Sequence, residues 1–250
     1  MNKLDQLCIV MVETSHPGNI GSAARAMKTM GIHDLRLVKP TRFNSPETRA
    51  LASGADDILE QAKLLDSLPT ALTDCHYIIG SSARSERSLP WPQMTARTCG
   101  LRVNERLPEQ KVAIVFGRER SGLSNEELEH CHALVHIPMA FDFFSLNIAA
   151  AVQIICYECM MASHSAPNQH EHPTPTLNEP LATAEAMENF FQHLETTMIE
   201  VRYLDPANPR LLMRRMRRLF GRITPTQSEV NILRGMLSAF QGRKFQHRSP

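Results

Sequence analysis

The run Cys8-Ile9-Val10-Met11-Val12 contains no polar residue, and a polar loop separates it from a helical pattern over residues 20–30. A short apolar run bounded by turn residues predicts a buried strand. In the second segment Ala23, Ala24 and Met27 recur at helical spacing, and Gly31 is well placed to end the helix. Together the two segments predict a strand followed by a helix as the first unit of the fold.

The same unit recurs over the first two thirds of the chain. Strands are predicted at residues 35–38, 64–65, 77–80, 111–116 and 134–137, and helices at 46–53, 67–72, after a capping box at 124–127, and at 146–162. This alternation predicts an α/β domain with a mostly parallel sheet over residues 1–162. In such sheets, ligands bind in the loops that follow the carboxyl ends of the strands.

The rest of the chain has a different composition. Residues 163–180 hold four prolines and few apolar residues, which predicts a flexible linker. Helical patterns at 182–201, 209–222 and 226–241 predict a small all-α domain over residues 181–250. Residues 1–180 contain 16 Lys and Arg against 20 Asp and Glu, whereas residues 181–250 contain 11 against 6. This asymmetry indicates that the C-terminal domain contacts a polyanion.

The middle C-terminal helix carries five arginines in nine residues, 210–218, without acidic neighbours. An arginine-rich face is often only solvated, but this density favours contact with RNA phosphates. The residues predicted to make that contact are Arg214, Arg215, Arg217 and Arg218. The residues predicted to face a small core are Leu211, Leu212, Met216, Leu219 and Phe220.

The overall composition is that of a globular protein, with 42% hydrophobic and 21% charged residues. No apolar run has the length of a membrane span, and the first residues lack a signal-peptide core, so we expect a cytoplasmic protein without membrane contact. Cys156 and Cys159 form a C-x-x-C within an apolar helical pattern. With no second cysteine pair, this pattern favours buried thiols over a zinc or redox site.

Several common enzyme motifs are absent. Gly117 and Gly122 have P-loop spacing, but Leu123 stands where the phosphate-binding lysine is needed. No G-x-G-x-x-G follows the first strand, and no G-x-S-x-G occurs. No carboxylate cluster indicates a divalent metal. A dinucleotide-binding Rossmann enzyme, a P-loop NTPase and an α/β-hydrolase are therefore unsupported.

Three polar segments lie in, or shortly after, loops that follow predicted strands: Asn19-Ile20-Gly21-Ser22-Ala23-Ala24-Arg25, Phe116-Gly117-Arg118-Glu119-Arg120-Ser121-Gly122 and Ser145-Leu146-Asn147. Each has a structural explanation of its own: a small-residue helix packed on the sheet, a surface loop, and a helix N-cap at Ser145. The cap leaves Asn147 unexplained, because this residue stands early in an otherwise apolar helix.

Taken in order, the segments match N-x-G-x-x-x-R, F-G-x-E-x-x-G and S-L-N. With them, the chain from about residue 7 to 162 resembles the SPOUT methyltransferases, specifically the SpoU branch of RNA ribose 2′-O-methyltransferases. Stretches 12–19, 82–85, 89–92 and 231–235 are similar to the TrmJ-type enzymes of that branch. One departure is Phe144, where some relatives carry a second serine; this matters little if the contact there is through the backbone.

The resemblance implies a trefoil knot near the end of the first domain, a homodimer, and a tRNA substrate. It implies methylation of the 2′-hydroxyl of cytidine or uridine at nucleotide 32 of the anticodon loop, with S-adenosylmethionine and no metal. The implied cofactor-binding residues are Ser81, Ser82, Ala83, Gly117, Gly122, Ile137, Phe144, Ser145 and Leu146. The implied catalytic residues are Arg25, Asn19, Glu119, Ser145 and Asn147.

The resemblance gives Arg25 the central role at the reacting hydroxyl. Guanidinium groups are poor bases, since their pKa exceeds about 12. Either a special environment deprotonates Arg25, or the side chain stays charged, pairs with an RNA phosphate and stabilises the developing alkoxide. We favour the second alternative, in which the phosphate or water takes the proton.

Several alternatives stay open at this point. Arg84 is expected to contact RNA, and Trp91 is either a core anchor or a platform for a splayed base. Glu119 is either part of the site or a structural partner of a nearby arginine. Two rival functions are a 2′-O-methyltransferase for another tRNA position or for ribosomal RNA, and a non-catalytic RNA-binding protein on the same scaffold.

Overall fold

The computed structural model describes residues 3–43, 45–82, 91–107, 109–140, 146–164 and 179–242. Of the residues predicted for the site, Ala83, Arg84, Phe144 and Ser145 lie outside these ranges, as does most of the predicted linker. The described residues form a parallel sheet with helices on both faces, followed by a group of three helices. The predicted α/β class is confirmed, and the knot stays a prediction.

Seven strands form the sheet: β1 (Leu7–Val12), β2 (Asp34–Val38), β3 (Lys63–Leu65), β4 (Tyr77–Ser81), β5 (Gln93–Thr95), β6 (Val112–Phe116) and β7 (Ala133–His136). Their spatial order is β3-β2-β1-β6-β4-β7-β5, and each of these pairings is parallel. Met11 of β1 lies opposite Phe116 of β6. The loops that follow these two strands therefore leave the sheet side by side.

Ten α-helices are described: α1 (Pro17–Thr29), α2 (Pro46–Ala52), α3 (Asp56–Glu60), α4 (Leu68–Leu72), α5 (Ala96–Arg106), α6 (Asn125–Leu128), α7 (Ile148–His164), α8 (Ala184–Glu200), α9 (Leu212–Ile223) and α10 (Gln227–Phe240). Helices α1, α5 and α7 bury their apolar residues in one hydrophobic cluster with the sheet, and α4 in a second. Because both faces are covered, every residue of β1 and β6 is buried.

The predicted elements are found with shifted ends. Helix α1 begins at Pro17, three residues before the prediction, because the fixed φ of proline suits the first helical turn. Helix α7 begins at Ile148 rather than at Leu146. The sequence predicted no element for β5, α3 or α5. Helix α5 is polar and packs on α7 through Gly100, where a Cβ would meet the Glu158 carbonyl oxygen at 2.4 Å.

The three C-terminal helices share a hydrophobic cluster of their own. Phe190 and Phe220 pack edge to face in it, with ring centroids 4.8 Å apart. The prediction that Leu211 and Leu219 face this core is wrong, since they are 43% and 41% exposed. Met213 packs against the cluster together with Phe220. The apolar side of α9 is therefore narrower than its sequence indicates.

The burial of three side chains distinguishes between the alternatives that the sequence left open for Cys156, Cys159 and Trp91. Cys156 and Cys159 are fully buried in α7, as predicted for structural thiols. Trp91 is 8% exposed within the same cluster as Ile78 and Leu134, which favours the core anchor over the stacking platform.

Over the described ranges, no helix is both long and apolar enough to cross a membrane.

A buried guanidinium ties β2 to the segment before β4. Arg36 is 3% exposed, and it donates to Asp34 Oδ2 at 2.8 Å and to Asp74 Oδ2 at 2.9 Å. Lys111 Nζ lies 2.8 Å from Asp34 Oδ2. Burial alone would raise the pKa of Asp34, but the hydrogen bonds and charges of Arg36 and Lys111 lower it to about 2. The four charges therefore depend on one another.

We expect Arg36→Met to lower the free energy of unfolding by about 2 kcal/mol, because it leaves the largely buried Asp34 carboxylate without its main hydrogen-bond donor, while Asp74 is half exposed. Urea unfolding at pH 7 measures this, and Arg49→Met on exposed α2 is the control, expected within about 0.5 kcal/mol of wild type. The stability from a carboxyl with a lowered pKa is present above its ordinary pKa and lost as pH falls through the folded value. The difference between Arg36→Met and wild type should therefore shrink between pH 3.8 and about pH 2. Equal stability of the two proteins at pH 7 would contradict this.

Candidate active site

A cleft of about 850 Å³ opens at the carboxyl ends of β1, β4, β6 and β7. Its size is typical of a site for a small ligand. The predicted site residues that line it are Asn19, Ser81, Ser82, Gly117, Glu119, Gly122, Ile137, Leu146 and Asn147. Residues from all three polar segments therefore meet at the edge of the sheet where ligands of parallel sheets bind.

The Glu119 carboxylate, in the loop after β6, holds the segment that joins β1 to α1. Its Oε1 accepts hydrogen bonds from the backbone N–H groups of Ser15 and His16 and from Asn19 Nδ2, each at 3.1 Å. Burial alone would raise the pKa of Glu119, but these hydrogen bonds lower it to about 2. Among the described residues, the hydrogen-bond partners of Glu119 are amides and a hydroxyl, and none is an arginine. This disfavours the alternative in which Glu119 is the structural partner of a nearby arginine.

Asn19 and Asn147 connect the first segment to the third. Asn147 Nδ2 donates to Asn19 Oδ1 at 2.8 Å, and Asn147 Oδ1 accepts from the backbone N–H of Ala149 at 2.8 Å. Asn147 thus precedes α7 and caps it, which corrects the prediction of Ser145 as the cap and of Asn147 within the helix. A helix start two residues later than expected accounts for the difference.

A continuous chain of hydrogen bonds therefore runs from Glu119 through Asn19 to Asn147. It joins the loop after β6, helix α1 and the start of α7, over sequence separations of 100 and 128 residues. Asn19 is 8% exposed, so its amide is committed to these two partners. The family resemblance grouped these residues, and the structure shows the contacts that group them.

The neighbouring Arg118 shapes the same loop from the other side. Its guanidinium donates to Glu13 Oε2 at 2.9 Å and to both carboxylate oxygens of Glu127 at 3.0 Å. These hydrogen bonds raise the pKa of Arg118 above its ordinary value. Glu127 also closes the predicted capping box with Ser124 at the start of α6. Consecutive charges in this loop therefore have separate tasks: Arg118 fixes the frame, and Glu119 holds the β1–α1 segment.

Two glycines close the loop on itself. The backbones of Arg118 and Gly122 exchange hydrogen bonds of 3.2 and 2.9 Å, which form a tight turn. Gly122 has φ +67°, a conformation that side chains disfavour. A Cβ on Gly117 would lie 2.2 Å from the Gly122 carbonyl carbon. The spacing of Gly117 and Gly122, which resembles that of a P-loop, therefore allows the backbones of these two residues to pack closely.

The walls of the cleft differ in character. One is apolar, with Ile137, Met139 and Leu146, and another offers the hydroxyls of Ser81 and Ser82. Such a cleft fits a ligand with both an apolar and a hydrogen-bonding part. In the described part of the chain, no group of three His, Cys, Asp or Glu is arranged to hold a metal ion.

Those predicted RNA-contact residues that the structure describes are not among the residues that line the cleft. Arg25 is exposed on α1 and is not among the residues that line the cleft. Arg214 donates to Glu129, and Arg217 donates to Glu188 at 2.6 Å. The expectation that the arginines of α9 lack acidic partners is therefore wrong for these two. Their contact with RNA stays a prediction, as it does for Arg215 and Arg218.

Outside the three polar segments, sequence reasoning missed two polar lining residues, Ser15 and His16. They belong to the stretch 12–19 that carries part of the family resemblance, but no residue pattern assigned them a task. Their backbone groups face Glu119, and backbone contacts leave no signature in side-chain identity. The signal available in the sequence was the presence of a histidine next to a proline and a glycine, in the loop after the first strand.

Comparison with known proteins identifies relatives for both parts of the chain. The model of the SpoU rRNA Methylase family matches residues 6–157, and that of the tRNA methyltransferase TrmJ C-terminal domain matches residues 185–249. The chain is 48% identical over 244 residues to the tRNA (cytidine/uridine/adenosine-2′-O-)-methyltransferase TrmJ of Pseudomonas aeruginosa, covering 95% of both chains. It is 46% identical to the tRNA (cytidine/uridine-2′-O-)-methyltransferase TrmJ of Pectobacterium atrosepticum, covering 95% of this chain and 98% of that one.

Solved structures show the same similarity. TrmJ from Z. mobilis ZM4 superposes with a TM-score of 0.81 at 31% identity, covering 94% of this chain and 98% of that one. A probable methylase family protein from Haemophilus influenzae Rd KW20 gives a TM-score of 0.62 at 40% identity, covering 96% and 97%. Both alignments therefore include C-terminal helices as well as the sheet.

We expect Gly117→Ala to lower the melting temperature by several degrees, because its Cβ would overlap the Gly122 backbone and overpacking costs about 1–3 kcal/mol. The matched control is Gly221→Ala in α9, where a Cβ meets nothing closer than 4.0 Å. That control should leave the melting temperature unchanged or raise it, since alanine favours helix. Thermal unfolding followed by circular dichroism measures both. A Gly117→Ala protein that melts with the wild type would contradict the close-contact role.

Proposed function

The chain belongs to the SpoU rRNA methylase family, and we propose that it transfers a methyl group to a ribose 2′-hydroxyl of tRNA. The two most similar relatives described above are named for tRNA, and the second matched family model belongs to a tRNA methyltransferase. Both parts of the chain therefore favour tRNA over ribosomal RNA as the substrate.

The hydrogen-bonded chain Glu119–Asn19–Asn147 in the wall of the cleft is the observation that carries this proposal. Polar side chains from three distant segments form hydrogen bonds with one another at the edge of the sheet where ligands bind. A scaffold that only bound RNA would need no such convergence inside a cleft of this size. The proposal therefore prefers an enzyme to the non-catalytic alternative.

S-adenosylmethionine is the methyl donor in this proposal, and the cleft fits it in size and polarity. Ser81, Ser82 and Gly117 would hold it from one side, and Ile137 and Leu146 from the other. The remaining residues assigned to it are Ala83, Gly122, Phe144 and Ser145. When bound, this cofactor supplies a methyl group already activated on a positively charged sulfur. The protein therefore has to align the two substrates, exclude water from the site and provide for the departure of the hydroxyl proton.

The residues around the cleft divide that work. Asn19 and Asn147 are locked by their mutual hydrogen bond and would orient the ribose, while Glu119 keeps the surrounding loops in place. Arg25 is exposed on α1 and would meet the RNA, where its guanidinium pairs with a phosphate and stabilises the developing alkoxide. Preorganised charges of this kind lower the barrier without reorganisation during the reaction.

Four finer assignments complete the proposal. The target is cytidine or uridine at nucleotide 32 of the anticodon loop. Residues 1–162 form the catalytic domain, 163–180 a linker, and 181–250 a basic RNA-binding domain in which Arg215 and Arg218 meet phosphates. The working form is a knotted homodimer in the cytoplasm. Arg214 and Arg217 already pair with Glu129 and Glu188, so contact of these two arginines with RNA would have to displace the carboxylates.

We expect the full-length protein to methylate a tRNA transcript when supplied with S-adenosylmethionine, and mass spectrometry of nuclease digests to place the methyl group on the ribose of nucleotide 32. A transcript with deoxyribose at that nucleotide is the control, because it lacks the hydroxyl. Methylation of a base would contradict the reaction, and a ribose outside the anticodon loop would contradict the target.

We expect Arg25→Lys to lower the single-turnover rate constant of methylation at least about 100-fold, because a lysine does not reproduce the planar, bidentate pairing of a guanidinium. The dissociation constant for S-adenosylmethionine should stay unchanged, since Arg25 does not line the cleft. Single-turnover methylation and calorimetry measure the two quantities. Arg97→Lys is the control, on α5 and 83% exposed. Near-normal turnover by Arg25→Lys would rule out a specific guanidinium role.

A further inference from the structure

The expectation from the sequence is that an RNA phosphate or water takes the proton of the 2′-hydroxyl, and no side chain has been assigned to it. As the ribose oxygen bonds to the methyl carbon, the sulfur–methyl bond breaks and the 2′-hydroxyl proton has to leave. Of the charged side chains that line the cleft, Glu119 is a weak base because its lone pairs are taken by the hydrogen bonds from Ser15, His16 and Asn19. Arg118 and Arg120 are guanidinium groups and carry no free lone pair.

His16 is the imidazole among the described residues that line this cleft. It lies in the loop after β1, two residues before Gly18 and three before Asn19. Its backbone N–H donates to Glu119 Oε1 at 3.1 Å, so the residue is anchored in the same hydrogen-bonded group as the proposed ribose-orienting amides. Its side chain is 61% exposed and free to meet an incoming RNA.

The ring has a carboxylate partner on one side. His16 Nδ1 lies 3.6 Å from Glu47 Oε1, on the first turn of α2. A carboxylate beside Nδ1 favours the tautomer with its proton there, which leaves Nε2 as the acceptor. An exposed pair of this kind contributes little stability. At 3.6 Å the two groups are too far apart for a hydrogen bond, so Glu47 acts on the imidazole as a neighbouring negative charge, which favours a proton on the nearer nitrogen.

Gly18 provides the space in which this pair meets. A Cβ there would lie 3.0 Å from Glu47 Oε1 and 3.2 Å from His16 Cε1, and 2.7 Å from Leu51 Cδ1. A side chain at this position would push the imidazole and the carboxylate apart. Each residue of the stretch Ser15-His16-Pro17-Gly18-Asn19 therefore has a structural explanation. Ser15 anchors the loop to Glu119, His16 supplies the imidazole, Pro17 begins α1, Gly18 leaves room for the imidazole and Glu47, and Asn19 contributes its amide to the site.

We propose that His16, with the Glu47 carboxylate beside its Nδ1, is the catalytic residue that accepts the ribose 2′-hydroxyl proton at Nε2. The inference rests on the proposed methyl transfer and adds the proton acceptor to it. The step balances: the hydroxyl loses a proton and gains a methyl group, the sulfonium becomes a neutral thioether, and the imidazole becomes an imidazolium beside Glu47. Arg25 keeps its charge throughout and stabilises the oxygen, which removes the need for a guanidinium to act as a base.

The test compares His16→Gln with wild type in single-turnover methylation of tRNA between pH 5 and pH 9. The wild-type rate should rise with pH until the side chain that accepts the proton is fully deprotonated, and then level off. The other charged groups near His16 are Glu47 on α2, outside the cleft lining, and Arg118, Glu119 and Arg120 after β6, which line the cleft. His16→Gln should be at least about 100-fold slower and lose the imidazole-dependent rise. Glu47→Gln should be slowed less, because it keeps the imidazole.

His33→Gln is the matched control, since this histidine is exposed in the turn between α1 and β2, at the opposite end of the sheet. It should match the wild type at every pH. Thermal melting, expected to be unchanged in His16→Gln because the backbone bond to Glu119 is retained, separates a chemical role from a folding defect. Calorimetry gives the S-adenosylmethionine dissociation constant of each variant, so that the methylation rates are compared at saturating cofactor.

Two results would overturn the inference. One is a His16→Gln enzyme within about threefold of wild type, and the other is a slow enzyme whose rate still rises with pH as the wild-type rate does. In both cases the wild type methylates tRNA, so the proposed function stands and the proton acceptor is wrong. A wild-type protein that methylates no ribose would overturn the proposed function itself.

Discussion

The Glu119 carboxylate is the constraint on which the site depends. It belongs to the loop after β6, yet its described donors lie in the segment after β1, and Asn19 passes the connection on to Asn147 at the start of α7. Three loops that leave the sheet separately are thereby held as one body. The sheet makes this possible, since placing β6 beside β1 brings the two loops within hydrogen-bond distance.

The loop that carries Glu119 is itself fixed before any ligand binds. Arg118 is paired with Glu13 and Glu127, and the Gly117–Gly122 contact closes the turn. Of the two neighbouring charged residues, Arg118 fixes the loop and Glu119 holds the segment between β1 and α1. A site that is rigid before its substrates arrive loses less free energy in assembling them.

The sequence predicted what depends on local pattern. The apolar runs of β1, β2, β4 and β6 and the helical spacing of α1 and α7 are local signals, and they led to the parallel α/β class. The insertion of β6 between β1 and β4 was not predictable from periodicity, because strand order depends on contacts between distant segments. Helix α5 was missed because its polar sequence hides a packing position at Gly100.

The candidate site shows the same division. Asn19, Glu119 and Asn147 were found through an ordered set of motifs, whereas their mutual hydrogen bonds were not encoded in spacing. Ser145 was taken as the cap of α7 because serine is a good cap, but the helix begins later and Asn147 caps it. His16 escaped notice because its partners are a backbone-bound carboxylate and a side chain on another helix, neither visible along the sequence.

The most direct measurement is a double-mutant cycle on the bond between Asn147 and Asn19, read as the single-turnover rate of tRNA methylation. Asn147→Ser keeps an acceptor for the cap of α7 and removes the amide donor, and Asn19→Ala removes the acceptor. If the three segments work as one unit, the double variant should be about as slow as the slower single variant. Rate losses that multiply in the double variant would mean that the two residues act independently, and would contradict a site built on this chain of hydrogen bonds.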